Sequence, residues 1–479
     1  MSYGAVYARA LGRAALVACA AVPMGAAMAA FLRVPRPRGR RMLVWASLLL
    51  PFVTPALLVG YGYASFSLSL VRHPLWNQAL YTVLVWLKVV PPAALVLYFA
   101  PSLFTPQAMH CRRLLDGGHG TRSRLTSRLG FLARGPGRKW LVAFGVAFLL
   151  AFGEFEIASL MVVPTWTVRI FDAQAGGLAL LDSLRLVSLP AISEAVVVFV
   201  VLLALVHARR LAGLRSKRAH PGRTVRWTSL GYVVLAVTCV TLVPGWVVLK
   251  GAVAGLPLLL RDFSLGSDLL HSIAYGAVAA GIGYVAAGWF IRGRGTSRLA
   301  GTRTLLGALL AVPGLLGGLV LALVAVYLCQ QPVLQAVYDT PLPLLTTLAM
   351  LLFPFALLLR LLVQRFRPDA ALHTASLLTG SGSPPVRGRG RRLRWRLDVR
   401  ARFWVFFLLF CWAYLELSAS AILAPPGHTT AVVWLYNLMH YGRSQVLSAM
   451  VLVALLVPLL VVLIVEAFRS SAVRLMTHA

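Results

Sequence analysis

Two glutamates, Glu154 and Glu416, lie inside apolar runs of the sequence. A carboxylate inside a membrane is unfavourable, so such a group normally faces a cavity or a partner. We therefore predict that both residues line the path of a cationic substrate, or fix its gate. The alternative is a structural role, in which each carboxylate is hydrogen bonded to a hydroxyl group or to the backbone of a neighbouring helix.

The two glutamates belong to a longer repeated stretch with a constant offset of 262 residues. Without a gap, 51–164 aligns with 313–426, and the matches concentrate in residue types that set backbone shape and charge. The matched pairs are Pro51 with Pro313, Pro92 with Pro354, Pro106 with Pro368, Gly118 with Gly380, Gly120 with Gly382, Arg138 with Arg400, and Glu154 with Glu416. We infer an internal duplication. Equivalent glutamates would then face each other across a pseudo-twofold axis.

The composition indicates an all-α polytopic membrane protein. The chain has 479 residues, 59% hydrophobic and 12% charged, with a mean hydropathy of +0.81. Soluble domains carry about 25% charged residues. A formal charge of +33 would suggest nucleic acid in a soluble protein. Here we attribute it to basic cytoplasmic loops and expect no nucleic-acid partner.

A bilayer needs about 20 apolar residues for each helix. The sequence contains eleven such runs, at 14–32, 42–70, 79–104, 140–163, 188–208, 229–256, 271–291, 304–328, 342–364, 403–424 and 445–468. The length of 42–70 predicts a tilted helix or an irregular end. Arginines follow 14–32 at once, so we assign it to a membrane helix rather than to a signal peptide.

The basic residues alternate between loops. Six loops hold 36 of the 46 Lys and Arg residues, namely 33–41, 105–139, 209–228, 292–303, 365–402 and 469–479. Positive loops stay inside, so we predict an external N-terminus, a cytoplasmic C-terminus and two parallel halves. The first half is 1–208 with five helices, 209–228 is a basic cytoplasmic linker, and 229–479 forms the second half with six helices.

Other residues inside the runs have less specific roles. Paired prolines remove a helical hydrogen bond and kink a helix, so they are candidates for a gate, although proline is also common in inert membrane helices. These residues are Pro51, Pro92, Pro313 and Pro354. Glu156 lies two residues after Glu154 and should point to a different face. Glu194 has no repeat counterpart, and we expect it at the membrane interface.

Each half carries a short motif in a cytoplasmic loop. In the second half, Thr374-Ala375-Ser376 is followed by Gly380. This loop resembles that of permease subunits of binding-protein-dependent ABC importers, which has Glu-Ala-Ala, three residues and Gly. The resemblance implies a short helix, ended by the glycine, that docks on a separate ATPase subunit, with two copies of that subunit. The first half retains Gly118 but has Arg112-Arg113-Leu114, and the family's glutamate is missing from both halves. The alternative is a basic loop without a partner.

A second motif covers 416–442. It includes Glu416-Leu417-Ser418-Ala419-Ser420, Pro425-Pro426-Gly427 and Asn437-Leu438-Met439-His440-Tyr441-Gly442. It is similar to the fused, two-half permeases of the ferric-iron importer family, with thiamine and sulfate permeases as close alternatives. The resemblance implies a type I importer fold. It also implies a location in a bacterial plasma (inner) membrane and an extracytoplasmic binding protein that faces a surface loop with Asn437, His440, Tyr441 and Gly442.

The sequence contains no P-loop, catalytic constellation or metal-ligand cluster. We therefore expect a translocation subunit that is not itself an enzyme and holds no cofactor or metal. The competing hypothesis is a secondary transporter that uses Glu154 and Glu416 as proton or cation sites and needs no partner protein.

Overall fold

The computed structural model of the chain describes residues 2–70, 72–99, 137–208, 222–262, 266–292, 299–365, 369–380, 383–440 and 445–478. Within these ranges the chain is helical and contains no β-strand. Helices suit long apolar runs because each helix satisfies its own backbone hydrogen bonds, as the interior of a bilayer requires. The all-α class is thereby confirmed for these residues.

Contacts divide the chain into two compact units, Met1–Val247 and Val248–Ala479. The first contains α1 (Tyr3–Leu32), α2 (Arg38–Val53), α3 (Ala56–Ser69), α4 (Pro74–Phe99), α5 (Gly137–Phe152), α6 (Glu156–Leu160), α7 (Trp166–Ala175), α8 (Leu180–Ala208) and α9 (Arg223–Ala236), then a π-helical turn (Val237–Leu242). Helix α10 (Val243–Asp262) spans the boundary. The second contains α11 (Gly266–Arg292), α12 (Leu299–Gly314), α13 (Gly318–Cys329), α14 (Leu342–Arg365), α15 (Asp369–Thr379), α16 (Pro384–Arg394), α17 (Arg400–Tyr414), α18 (Ser418–Leu423), α19 (Ala431–His440) and α20 (Gln445–His478).

The described residues include eight helices that are long and apolar enough to cross a membrane, or nine spans if one bent pair counts as one. This confirms the general character of a polytopic membrane protein. Four of the eleven predicted runs are each divided into two helices, namely 42–70, 140–163, 304–328 and 403–424. The count of eleven spans stays a prediction.

The core of the first unit is formed by α1, α4 and α5, which pack against one another. Small residues let α1 and α4 approach closely. A Cβ atom on Gly25 would lie 3.0 Å from the backbone nitrogen of Ala94, so only glycine fits without displacing α4. Helix α9 also packs on α1, although we had assigned most of it to the second half.

In the second unit, α11, α14 and α17 form the corresponding core. A Cβ atom on Gly276 of α11 would lie 3.2 Å from the backbone nitrogen of Tyr414, at the end of α17. Helix α15 packs against α16 outside this core.

Two apolar runs are broken into helix pairs for local reasons. Helices α2 and α3 meet at Thr54 and Pro55 with a bend of 69°. A residue before proline avoids the helical conformation, and Thr54 accordingly has φ −56° and ψ 122°. Helices α12 and α13 are separated at Gly317, whose φ of +84° and ψ of 161° suit glycine alone. The irregular end predicted for 42–70 is therefore a sharp break.

Candidate functional site at the helix breaks

Glu154 lies between α5 and α6, where it caps the start of α6. The backbone N–H of Ile157 donates to Oε1 at 2.7 Å, and that of Ala158 donates to Oε2 at 3.2 Å. The first N–H groups of a helix have no partner within it, and a carboxylate there is favoured by the helix dipole. Helix α5 ends at Phe152, so α6 begins with backbone N–H groups that have no partner within the helix. Glu154 accepts hydrogen bonds from two of them.

Neighbouring helices hold the same carboxylate in place. The Tyr81 hydroxyl on α4 donates to Oε2 at 3.0 Å. The guanidinium carbon of Arg13 on α1 lies 4.7 Å from the centre of the Tyr81 ring, close enough for a cation–π contact. The hydroxyl of Thr167 donates to the Glu154 backbone carbonyl at 3.0 Å. Glu154 therefore links α1, α4 and α7 to the break.

Glu416 has the same local role in the second unit. The backbone N–H of Ala419 lies 3.1 Å from Oε1 and 2.9 Å from Oε2, and that of Ser420 lies 3.3 Å from Oε2. The carboxylate also lies against the first residue of α13, because a Cβ atom on Gly318 would fall 2.3 Å from Oε1. Glu416 thus caps α18 beside the break that precedes α13.

These contacts match the structural alternative for both glutamates, since each carboxylate is hydrogen bonded to backbone N–H groups. The groups remain partly accessible, each with an intermediate exposure. The role in lining a translocation path, and the arrangement across a twofold axis, stay predictions.

The structure adds Lys88 of α4, which the sequence analysis did not single out. Its ammonium group donates to the carbonyl of Thr54 and, at 3.4 Å, to that of Pro51. Both carbonyls belong to the end of α2, where the break removes their helical donors. The carboxylates of Glu156 and Glu154 interact with Lys88 electrostatically. A lone lysine inside the run 79–104, just before a Pro-Pro pair, was the available signal.

Thr54 adds a second set of contacts at the same break. Its hydroxyl donates to the carbonyl of Leu50 at 2.8 Å and lies 2.8 Å from the hydroxyl of Thr241 in the π-helical turn. Tyr63 of α3 donates to the carbonyl of Cys239 in that turn at 2.8 Å. The π-helical turn is therefore hydrogen bonded to residues on both sides of the α2–α3 break.

Glu194, which we expect at the membrane interface, is a buried residue of the fold. It lies in the middle of α8 and is only 1% exposed. Its Oε2 atom has no hydrogen-bond partner among the described residues. Its Oε1 atom would lie 3.6 Å from a Cβ atom on Gly153, the residue before Glu154. A buried carboxyl thus adjoins the α5–α6 break, with one oxygen that no described residue pairs.

The predicted ATPase-docking motif forms part of α15. Ala375 is fully buried, whereas Thr374 and Ser376 are exposed and Leu377 is 64% exposed. The helix ends at Thr379 with Gly380 next, as predicted, but Gly380 does not adopt a left-handed conformation. The equivalent Gly118 lies outside the described residues.

Helix α16 supports α15 through a close contact at one glycine. A Cβ atom on Gly390 would lie 2.7 Å from the backbone nitrogen of Thr379. The last turn of α16 carries Arg391, Arg392 and Arg394. The predicted ATPase-docking motif thus packs on an arginine-rich helix and has one face exposed.

The four prolines divide into two kinds. Pro51 and Pro313 lie near the ends of α2 and α12, just before the points where the helices are interrupted. Pro92 and Pro354 lie inside α4 and α14, which continue past them without interruption. The first pair is therefore associated with broken helices, whereas the second pair is not. A gating role for any of them stays a prediction.

The segment predicted as a loop that faces a binding protein is helical as far as His440. Asn437 and His440 lie on α19, and Asn437 is exposed. Tyr441 and Gly442 lie outside the described residues. The preceding Pro-Pro-Gly sequence does form a turn, in which Gly427 has a φ of +76°.

The described residues contain no group of three or more His, Cys, Asp or Glu side chains that could hold a metal ion. Comparison of the chain with known protein families, with curated proteins and with solved structures returned no match.

Proposed function

We propose that the chain is the translocation subunit of an ABC importer in a bacterial inner membrane. It would work with separate ATP-binding subunits and an extracytoplasmic binding protein. The observation that carries this proposal is α15, a short helix with exposed Thr374, Ser376 and Leu377 that stands on the arginine-rich helix α16. An exposed leucine next to small polar residues suits the groove of a partner protein.

The two units support the inferred duplication, because their helices begin and end in the same register. Adding 262 to the first residue of α3 gives Gly318, where α13 begins, and adding it to the last residue of α5 gives Tyr414, where α17 ends. The core helices α1, α4 and α5 overlap α11, α14 and α17 at this offset, although α14 begins and ends several residues later than α4 would. Two units with helix breaks at equivalent positions favour a permease with two equivalent halves.

The proposed substrate is ferric iron or a similar small solute delivered by the binding protein. The motif from Glu416 to Gly442 supports this class through its similarity to ferric-iron permeases. Glu154 and Glu416 supply carboxylates near breaks in membrane helices, where transporters commonly bind substrates and ions.

Docking can be tested by co-purification in detergent with the ATP-binding subunit encoded by a neighbouring gene. Leu377→Asp places a charge on the exposed face of α15 and should abolish the association. Val333→Asp makes the same change at a side chain that is 90% exposed in a predicted external loop, and it should have no effect. Absence of any ATPase from the purified wild-type complex would reject the proposal.

The first unit also favours a second candidate, a secondary transporter. Charged side chains meet near the helix breaks of this unit, namely those of Lys88, Glu154 and Glu156. Proton- or cation-coupled transporters place ionisable residues at such breaks. Uptake by such a protein would collapse with an uncoupler, whereas ATP depletion would stop an ABC importer first. Comparing the two treatments in intact cells decides between the candidates.

A further inference from the structure

The first unit has a basic groove at the end of α1 that the proposed transport function does not use. The groove has a volume of about 590 Å³, and the described residues that line it are Phe31 from α1 and Arg223, Arg226, Trp227 and Leu230 from α9. By the predicted topology, this end of both helices is cytoplasmic.

The charges around the groove are of one sign. Arg223 and Arg226 are three residues apart on α9, so their side chains share a face. Arg36 stacks over the Phe31 ring with its guanidinium carbon 4.1 Å from the ring centre. Burial and, second, the charge of Arg226 lower the pKa of Arg36. Among the described residues, no carboxylate forms a salt bridge with any of these three arginines. The groove therefore has unbalanced positive charge that an anion would neutralise.

The apolar residues of the groove lie deeper along the helix than the arginines. Trp227 is 62% exposed and Leu230 is 46% exposed, and both follow the arginines toward the apolar part of α9. Tryptophan favours the headgroup level of a bilayer, and leucine favours the acyl chains. Along α9 the order is therefore arginine, tryptophan and leucine. This order corresponds to that of the phosphate, the glycerol backbone and the acyl chain in a phospholipid.

We propose that this groove binds one anionic phospholipid, whose phosphate is held by Arg223 and Arg226 and whose acyl chain lies along Trp227 and Leu230. Guanidinium groups bind phosphate oxygens in a two-point geometry, and basic pockets at the cytoplasmic ends of membrane helices suit anionic headgroups. A bound lipid would fasten α9 to α1, the first helix of the core. The proposal does not depend on which transport mechanism applies.

The test uses the full-length protein in nanodiscs and a spin-labelled phosphatidylglycerol, with spin-labelled phosphatidylcholine as the neutral reference. The wild type should retain phosphatidylglycerol preferentially. Arg223→Gln/Arg226→Gln should weaken that preference by roughly tenfold, because each cation near the surface contributes appreciably to anionic-lipid binding. Arg223→Lys/Arg226→Lys should retain part of it, since the charge remains but the two-point geometry is lost.

A matched control removes two other arginines from the same end of the membrane. Arg40 and Arg41 are exposed and do not line the groove. Arg40→Gln/Arg41→Gln should therefore leave the preference within about twofold of the wild type, by the same surface-charge argument. Equal losses in both double variants would reduce the effect to general surface charge and overturn the site. Loss of the bound lipid signal on adding inorganic phosphate would assign the groove to a soluble anion instead.

Discussion

The carboxylate of Glu416 lies directly against the backbone of Gly318. A Cβ atom at position 318 would fall 2.3 Å from Oε1, well inside contact distance. Glu416 caps α18 and Gly318 is the first residue of α13. A substitution at either residue should therefore affect both helices.

Gly318→Ala is therefore expected to displace the Glu416 carboxylate and to break its hydrogen bonds with Ala419 and Ser420. Overpacking of this kind costs about 1–3 kcal/mol of unfolding free energy. Thermal unfolding in detergent should show a lower midpoint. Gly281→Ala is the control, because a Cβ atom there meets nothing within 4 Å. Equal midpoints for the two variants would contradict the contact.

The two glutamates can be separated into capping and transport roles by paired substitutions. Glu154→Ala and Glu416→Ala leave helix N–H groups without an acceptor, which should cost about 1–3 kcal/mol of unfolding free energy each. The Gln variants keep one acceptor oxygen and should lose less. If the carboxylates also line a cation path, the double Gln variant should assemble normally but take up less ferric iron. Normal uptake by that variant would leave capping as their only role.

Lys88→Met should destabilise the α2–α3 break. It removes the donor to the Thr54 and Pro51 carbonyls and the cation beside Glu156. Unsatisfied buried acceptors cost about 1–3 kcal/mol. Lys88→Arg keeps a cation and should lose less of the unfolding free energy. Lys250→Met removes an exposed lysine from α10 and should be nearly silent. A Lys88→Met protein as stable as the wild type would show that the contact does not hold the break.

Glu194→Leu should keep or increase stability, in contrast to the other glutamates. The carboxyl is buried and its Oε2 atom has no hydrogen-bond partner in the described part of the chain, so its removal relieves a penalty of about 1–3 kcal/mol. Glu194→Gln retains a polar group there and should gain less. Thermal unfolding of both variants measures the difference. A marked loss of stability in Glu194→Leu would indicate that the carboxyl has a partner in the membrane-embedded protein.

The sequence predicted the elements whose signals are local. Long apolar runs indicated the membrane helices, and the constant offset drew attention to Glu154 and Glu416. Gly380 correctly marked the end of α15. These predictions depend on residue type and spacing, which a single chain displays directly.

The contacts made across the fold were not predictable in the same way. Lys88 and Thr54 are 34 residues apart on different helices, and their contact exists only because α2 breaks. Glu194 was expected at an interface because its run gives no sign of how α8 packs against α5. Asn437 was placed in a loop, but Val432, Val433, Leu435 and Tyr436 are buried and order the segment as a helix.

The 69° bend between α2 and α3 would also allow this stretch of chain to fit the thickness of a bilayer. At 1.5 Å per residue, the 16 residues of α2 are about 24 Å long and the 14 residues of α3 about 21 Å. Joined straight, they would exceed the hydrocarbon core, which is about 30 Å thick. With α2 along the membrane normal, the bend reduces the rise of α3 to about 7 Å and the total to about 31 Å. The break therefore allows a segment that is too long for one upright span to fit within the width of the membrane.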